Sequence, residues 1–285
     1  MTVVVPHYND LPALGRCLDA LQAQTLPADA FEIVVADNAS PQGEAAVAAV
    51  IAGRARLLTV PERGAGPARN AGVGAARATV IAFTDSDCVP EPGWLAAGLK
   101  VLDRYDVVGG RMEVLVDAAR AKTGAEAFEQ VFAFRNEQYI ADKGFSVSAN
   151  LFCSRETFDR VGVFGVGLSE DVDWCRRATA LGYTLGFATD AVVGHPARAN
   201  WRELMAKWRR INYEGYHLAL KEGRRRNWMA STYLLPASVV AHTPQILRSP
   251  ALHGVREKGS ALMTLTRLRL WRMFDAHRLF FGLRR

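Results

Sequence analysis

Cysteine is scarce in this chain: four residues among 285, at positions 17, 88, 153 and 175, with no C-x-x-C pair. That count and spacing exclude a zinc ribbon and a small disulfide-stapled scaffold, and they point to a reducing, cytoplasmic compartment. Long apolar runs are missing as well. The most apolar stretch, residues 233–241, is interrupted by Pro236 and falls well short of the ~20 residues that cross a bilayer, so no transmembrane helix is expected. The first residues enter an apolar run without the basic leader and longer apolar segment of a secretory signal, so export by that route is not expected. A Walker sequence is lacking, and the glycine-rich stretch 64–72 does not complete the G-x-G-x-x-G order, which leaves P-loop and dinucleotide readings weak. With 49% hydrophobic and 22% charged residues, no repeat and no low-complexity tract, the composition is that of a folded globular protein.

Acidic residues are scarce in one region only. Residues 201–285 hold 17 Lys+Arg against 5 Asp+Glu, whereas the first 200 hold 18 against 24. An acidic body therefore carries a basic tail that seeks anions, with a boundary near residue 200 separating a domain at 1–200 from an extension at 201–285. Within the body, short β-branched runs at 3–5, 31–36, 56–60, 80–84 and 106–108 have the length of buried strands. Between them lie helical spacings, such as Leu11, Leu14, Leu18 and Leu21 behind an Asn9 or Asp10 cap. The alternation predicts βαβ units: an α/β fold with a mostly parallel, Rossmann-like sheet flanked by helices, whose ligands bind beyond the carboxyl ends of the strands. Residues 145–153 read as a strand or extended loop and 170–181 as a helix closed by Gly182, while 201–222, 227–247 and 260–283 read as helices.

The polar residues sit where that fold needs them. Pro6, His7, Tyr8 and Asn9 follow the first strand, Asp37, Asn38 and Ser40 the second, and Asp85, Ser86 and Asp87 the fourth. Asp85 and Asp87 repel one another at that spacing, and a hard divalent cation relieves the repulsion while completing its shell with substrate phosphate and water. The competing reading is a turn whose aspartates cap the next helix.

Several separate elements in order carry a resemblance. The loop at 6–9, the turn at 37–40, the segment at 66–72, the Asp85/Asp87 pair, the Glu170-Asp171 pair and His195 together resemble the inverting, nucleotide-sugar-dependent glycosyltransferases of family 2, with the GT-A fold, over roughly residues 2–220. The resemblance implies that Pro6, Tyr8 and Asp37 line the base and ribose pocket, with Arg69 and Ser86 near the nucleotide. It implies Mn²⁺ or Mg²⁺ on Asp87, with Asp85 beside it and His195 as a later ligand. It makes Asp171 the general base, with Glu170 the next candidate, and it puts Asn150, Glu170 and Trp174 in the acceptor region. Physics agrees with these roles: a carboxylate accepts from an imide N–H, an aromatic face receives a base, and a guanidinium fork matches phosphate. Taken singly, Tyr8 reads as a core aromatic, Arg69 as a solvated helix charge, His195 as a structural histidine and Trp174 as core. Asp173 reads as structural, forming an i,i+4 pair with Arg177.

Two departures stand out. Asn38 takes the place of a second aspartate found in many members, and no Q-x-x-R-W follows the acidic helix, which argues against processive polymerisation. In the tail, Met263, Leu270, Phe274 and Phe281 share one face of a basic amphipathic helix, with Arg267, Arg272 and Arg278 opposite. Such a helix either lies on an anionic membrane surface, making the protein peripheral at the inner face, or packs on its own domain or a partner. Nucleic acid is not expected, since no recognised binding motif accompanies the charge.

The sequence thus predicts a metal-dependent, inverting, non-processive glycosyltransferase of polysaccharide biosynthesis. It moves a sugar from a UDP-, dTDP- or GDP-linked donor to a glycan or lipid-linked acceptor. Two alternatives compete. Asp85 and Asp87 after an apolar strand also resemble the nucleophile loop of haloacid-dehalogenase phosphatases, although that loop normally opens its domain. A catalytically degenerate, membrane-docked glycan-binding subunit is the other.

Overall fold

The computed structural model describes residues 1–166 and 169–282. β1 (Thr2–His7) leads through α1 (Leu11–Gln22), β2 (Glu32–Asp37), α2 (Glu44–Ile51), β3 (Arg56–Thr59) and α3 (Ala65–Ala75) to β4 (Val80–Phe83). β5 (Val89–Pro90), α4 (Trp94–Leu102), β6 (Val107–Leu115), α5 (Gly124–Phe132) and α6 (Asn136–Lys143) follow. A 3₁₀ turn at Ser148–Asn150 then precedes β7 (Leu151–Ser154), α7 (Arg155–Val161), α8 (Glu170–Ala180) and β8 (Leu185–Pro196). Four helices complete the described chain: α9 (Trp201–Lys221), α10 (Arg225–Thr232), α11 (Ser238–Arg248) and α12 (Gly254–Phe280).

The eight strands form one sheet in the order β3-β2-β1-β4-β7-β6-β8-β5. Its first half is parallel, with Val4 opposite Val34 on β2 and opposite Phe83 on β4, whereas β7 runs antiparallel to both β4 and β6, and β5 to β8. The chain winds outward from β1 to β3 and then returns to β4 on the other side of β1. That reversal opens a crevice at the carboxyl ends of β1 and β4, where ligands of such sheets bind.

Helices cover the sheet because their apolar spacing demands it. Asp10 caps α1 by accepting from the Ala13 N–H at 3.0 Å, and the helix then buries Leu14, Leu18 and Leu21 completely. Each such burial contributes about 1.5–3 kcal/mol relative to exposure. The glycine-rich segment proves to be α3 rather than a phosphate loop. A Cβ on Gly72 would stand 2.4 Å from Val4 Cγ1, so glycine lets this helix press onto β1.

Two compact units result. One comprises Met1–Glu113, Phe134–Val166 and Glu170–His195; the other comprises Val114–Ala133, Gly167–Ser169 and Pro196–Arg285. The second unit thus takes in α5 as well as the four helices beyond residue 200, and its core joins Phe128, Leu204, Ile246, Leu252, Leu265 and Leu268. The helix expected over 227–247 is two helices, because the chain turns at residues 233–237 around Pro236. α12 starts at Gly254, before the expected residue 260; its expected end at Leu283 lies outside the described residues.

α12 is amphipathic with a correction. Ala261, Leu265 and Leu268 face the unit's own core, and Met263, Leu270, Phe274 and Phe281 stand exposed. Arg272 is not on a solvated opposite face: half-buried, it stacks on the Trp208 ring at 4.1 Å, while Arg267, exposed, lies over the Trp201 ring at 4.0 Å, and Arg278, four residues after Phe274, stands beside the apolar stripe rather than opposite it.

Candidate active site

The loops at the carboxyl ends of β1, β2 and β4 and the first turn of α8 hold the candidate chemistry, all within the first unit. At the end of β1, Pro6 is buried and Tyr8 is 55% exposed, so Tyr8 is an open aromatic face rather than part of the core. Between them His7 turns inward, its Nδ1 lying 2.7 Å from Asp37 Oδ1. The Asp37 carboxylate also accepts from the Ser40 hydroxyl at 2.5 Å and from the Ser40 backbone N–H at 2.9 Å. Only 2% exposed, it is committed to holding two loops together. A direct hydrogen bond from Asp37 to a base, which the sequence implied, does not fit this geometry. Asn38 is engaged similarly: its amide donates to Val60 and Glu62 carbonyls and its oxygen accepts from the Gly64 N–H at 2.7 Å, pinning the loop before α3.

Arg69 is the central linker. Its guanidinium, 3% exposed, donates to Asp85 Oδ1 at 2.5 Å and to Glu170 Oε1 at 2.9 Å. It is therefore no solvated helix charge. Burial works against the cation, but the charges of Asp85 and Glu170, with a smaller contribution from Asp171, outweigh it and raise the Arg69 pKa. The pair at β4 and the acidic turn of α8 are thus joined through one buried cation.

Asp171 stands in a turn with Glu170 and Asp173 at the N-terminus of α8, where the helix dipole favours anions. Its Oδ1 accepts from the Val172 N–H at 2.8 Å. Asp173 is buried and accepts from Arg177 Nε at 3.0 Å, the i,i+4 pair its spacing suggested. Tyr139, which the sequence did not single out, stands within reach of the Asp171 charge: burial raises its phenol pKa, and Asp171 adds to the rise.

Asp87, Cys88 and His195 bring one ligand atom each to within 4.8 Å of one another. His195 Nε2 lies 3.5 Å from Asp87 Oδ2, and the ring packs tilted against Phe134 at 4.8 Å between centroids. A carboxylate and an imidazole at this separation suit a divalent ion such as Mn²⁺ or Mg²⁺, with Asp85 alongside. Cys88 was not foreseen, although its place directly after Asp87 was the available signal. Burial, then the charges of Asp85 and Asp87, push its thiol well above the ordinary value. The donor set fits a hard cation better than a thiolate-bound soft one. Ser86, on the loop between the two aspartates, is half-buried.

Two acceptor assignments are overturned. Trp174 is wholly buried, donates from Nε1 to the Gly162 carbonyl at 2.8 Å and stacks on Phe158, so no ring face remains for a sugar. Asn150 is wholly buried too; it accepts from Trp94 Nε1 at 2.9 Å and donates to the Arg111 and Ala191 carbonyls at 3.0 and 2.9 Å. It holds the middle of the sheet together instead of meeting a ligand.

The family model for glycosyl transferase family 2 matches residues 2–162, more than half of the chain and the whole of the β1–β4 crevice. The chain belongs to glycosyl transferase family 2. A family 2 enzyme is a transferase, which sets aside the phosphatase alternative. Among curated relatives, the glycosyltransferase AglE of Haloferax volcanii is 31% identical over 219 residues, covering 74% of this chain and 71% of AglE. The succinoglycan biosynthesis protein ExoO of Rhizobium meliloti is 37% identical over 116 residues, 40% of this chain and 32% of ExoO. Among solved structures, the mannosyltransferase PcManGT of Pyrobaculum calidifontis, in complex with GDP-Man and Mn²⁺, superposes with a TM-score of 0.64 at 20% identity, over 99% of this chain and 87% of that one. S. aureus TarS residues 1–349 in complex with UDP gives a TM-score of 0.52 at 17% identity, over 98% and 88%. The family 2 chain therefore has the GT-A fold. Among its described residues no helix is long and apolar enough to cross a membrane.

Proposed function

We propose that this chain is a divalent-metal-dependent, inverting and non-processive glycosyltransferase that moves a sugar from a nucleoside-diphosphate donor to a hydroxyl of a glycan or lipid-linked acceptor. The observation that carries the reading is the Arg69 bridge, which joins the Asp85/Asp87 loop to the Glu170-Asp171 turn at the point where the sheet reverses its winding. The structural neighbours support the donor class, one being in complex with GDP-Man and Mn²⁺ and others with UDP or UDP-GlcNAc.

Asp87 and His195 would hold the cation, with Asp85 and Ser86 on the same loop; when bound it would neutralise charge developing on the leaving diphosphate. Tyr8 offers its open face to the base, next to Pro6. Asp37 acts indirectly, fixing that loop through His7 and Ser40. Arg69 keeps two acidic elements close that would otherwise repel. The Asp171 carboxylate takes the proton from the acceptor hydroxyl as the new C–O bond forms, and Glu170, already paired with Arg69, positions the turn. Attack opposite the departing diphosphate inverts the anomeric carbon.

The test is a melting-temperature series with UDP, dTDP and GDP, each with Mn²⁺, Mg²⁺ or EDTA. A ligand that binds only the native state stabilises it by about 2.7 kcal/mol at a hundredfold excess over its Kd. Stabilisation by one of these diphosphates is expected with metal and not with EDTA, and Asp87→Ala should abolish the metal dependence. Equal stabilisation in EDTA removes the metal from the reading, and a product that retains the anomeric configuration removes the single displacement.

A second observation supports a peripheral position at an anionic membrane surface. Met263, Leu270 and Phe274 on α12 and Phe281 at its C-terminal cap recur at seven-, four- and seven-residue steps and are all exposed, on the unit that carries the chain's basic surplus. Apolar side chains entering the headgroup layer beside arginines are the usual means of such binding.

A further inference from the structure

In the helical unit, α9 and α12 leave between them a cavity of about 480 Å³ lined by Ala206, Arg209, Arg210, Tyr213, Asp275, Arg278 and Leu279. The lining side chains include three guanidiniums and one carboxylate, a surplus of two positive charges before Glu214, 3.8 Å from Arg210, is counted. Asp275 does not neutralise the cavity. It is 6% exposed and already engaged by Arg278 at 2.8 Å and by the Asn212 amide at 3.2 Å. Arg272, which does not line the cavity, lies over the Trp208 ring and donates from Nε to the Asn212 oxygen at 3.0 Å, so it leaves the lining arginines to meet a ligand.

The arginines differ in how well they are satisfied. The buried Nε of Arg209 has no hydrogen-bond partner among the described residues, and the guanidinium lies at a loose 5.9 Å from the Trp271 ring. Arg210 reaches Glu214 only at 3.8 Å, beyond hydrogen-bond distance. A buried donor without an acceptor is costly, and an anion with several oxygens would relieve it. Tyr213, exposed and tilted against the His217 ring at 4.2 Å between centroids, adds a hydroxyl and a ring edge to the rim.

Position identifies the source of that anion. Arg278 stands four residues after Phe274 and three before Phe281, so on the helix it neighbours both members of the exposed apolar stripe. The cavity's cationic wall therefore meets the surface that would enter a bilayer. We propose that this cavity is a binding site for the phosphomonoester headgroup of a lipid, held by Arg209, Arg210 and Arg278 with Tyr213 at the rim. A phosphomonoester carries close to two negative charges near neutral pH, which matches the surplus, and its three oxygens suit guanidinium forks. The inference extends the peripheral-membrane reading and does not depend on the transfer chemistry.

The experiment measures binding of the full chain to phosphatidylcholine vesicles with and without phosphatidic acid. The single variants Arg209→Gln, Arg210→Gln and Arg278→Gln are compared with Arg256→Gln, which removes a charge from α12 outside the cavity lining. Preferential binding to phosphatidic acid is expected. Each cavity variant should weaken it roughly tenfold to a hundredfold, as loss of a charge-assisted hydrogen bond does, against about fivefold for the control. Glycerol 3-phosphate should raise the melting temperature of the parent and not of Arg209→Gln. Arg278→Gln also unpairs Asp275, so Arg210→Gln, at an exposed residue, is the variant that judges the site if Arg278→Gln unfolds. Cavity variants that lose no more than the control overturn the site and leave the membrane reading standing. No binding of the parent to either vesicle overturns the membrane reading. Stabilisation by glycerol 3-phosphate without vesicle binding overturns the lipid source. Donor-induced stabilisation by a nucleoside diphosphate should be the same in all variants.

Discussion

Asp171 and Asp173 are two residues apart in one helical turn, yet their surroundings assign them different work. Asp173 is buried against Arg177, whereas Asp171 accepts from the Val172 N–H and its charge is felt by Arg69 and Tyr139. If Asp171 is the base, Asp171→Asn should lower turnover by roughly 10²–10⁴-fold while leaving donor affinity and melting temperature nearly unchanged. Asp173→Asn should instead cost stability, about 0.3–0.5 kcal/mol as for a helix-surface pair and somewhat more for its burial, with turnover retained. Steady-state kinetics and thermal melts on the two variants decide it; parental turnover in Asp171→Asn would move the role to Glu170. Where candidate groups gather was legible at the points where a strand end meets a polar run, since Tyr8, Asp85 and Asp87 stand in the loops after β1 and β4. What a single chain of letters does not display is which way a side chain points. Trp174 and Asn150 were read as acceptor contacts, and both point into the interior, where their polar atoms close hydrogen bonds with the backbone.

Elements follow from pattern when one face is apolar and the ends are marked. β1, β2 and β4 emerge at their β-branched runs because such runs are buried on both faces of a parallel sheet, β3 is a half-buried edge strand, and α1 begins after Asp10 because its carboxylate caps the helix. β8 was missed. Its 12 residues include Gly186, Thr189, Asp190 and Gly194, so no continuous apolar run announces it, and its pairing depends on partners far along the chain. α3 illustrates the converse, since its glycines look like a loop signature and serve packing. Gly72→Ala should destabilise the protein by about 1–3 kcal/mol, the usual cost of overpacking, because the new methyl group meets Val4. Removing the obstructing Val4 Cγ1 in a Gly72→Ala/Val4→Ala double variant should recover part of that loss relative to the sum of the two single changes. Chemical denaturation of the four proteins gives the coupling, and simple additivity would mean that the close approach is not what requires glycine.

At the scale of the whole molecule, the charge split read from composition corresponds to a physical division of labour. The sheet-bearing unit gathers acidic groups around one buried arginine, and the helical unit gathers arginines around tryptophan rings. Deleting the tail is a poor test of membrane binding, because α12 supplies Ala261, Leu265 and Leu268 to its own core. Phe274→Glu and Met263→Glu change only the exposed stripe. They should reduce sedimentation with anionic vesicles while leaving the melting temperature within the small range typical of surface substitutions. Unchanged sedimentation would return the stripe to a contact between copies of the chain. All four cysteines are buried without a disulfide, and all four belong to the sheet-bearing unit, where burial pushes their thiols above the ordinary value, Cys175 to about 12. The folded protein should therefore be inert to maleimides and iodoacetamide, and the rate at which label appears becomes a clock for opening of that unit alone. The same silence leaves the helical unit free for chemistry by design: a single Met263→Cys substitution would give one reactive handle, at the spot where a fluorophore would report whether it has left water.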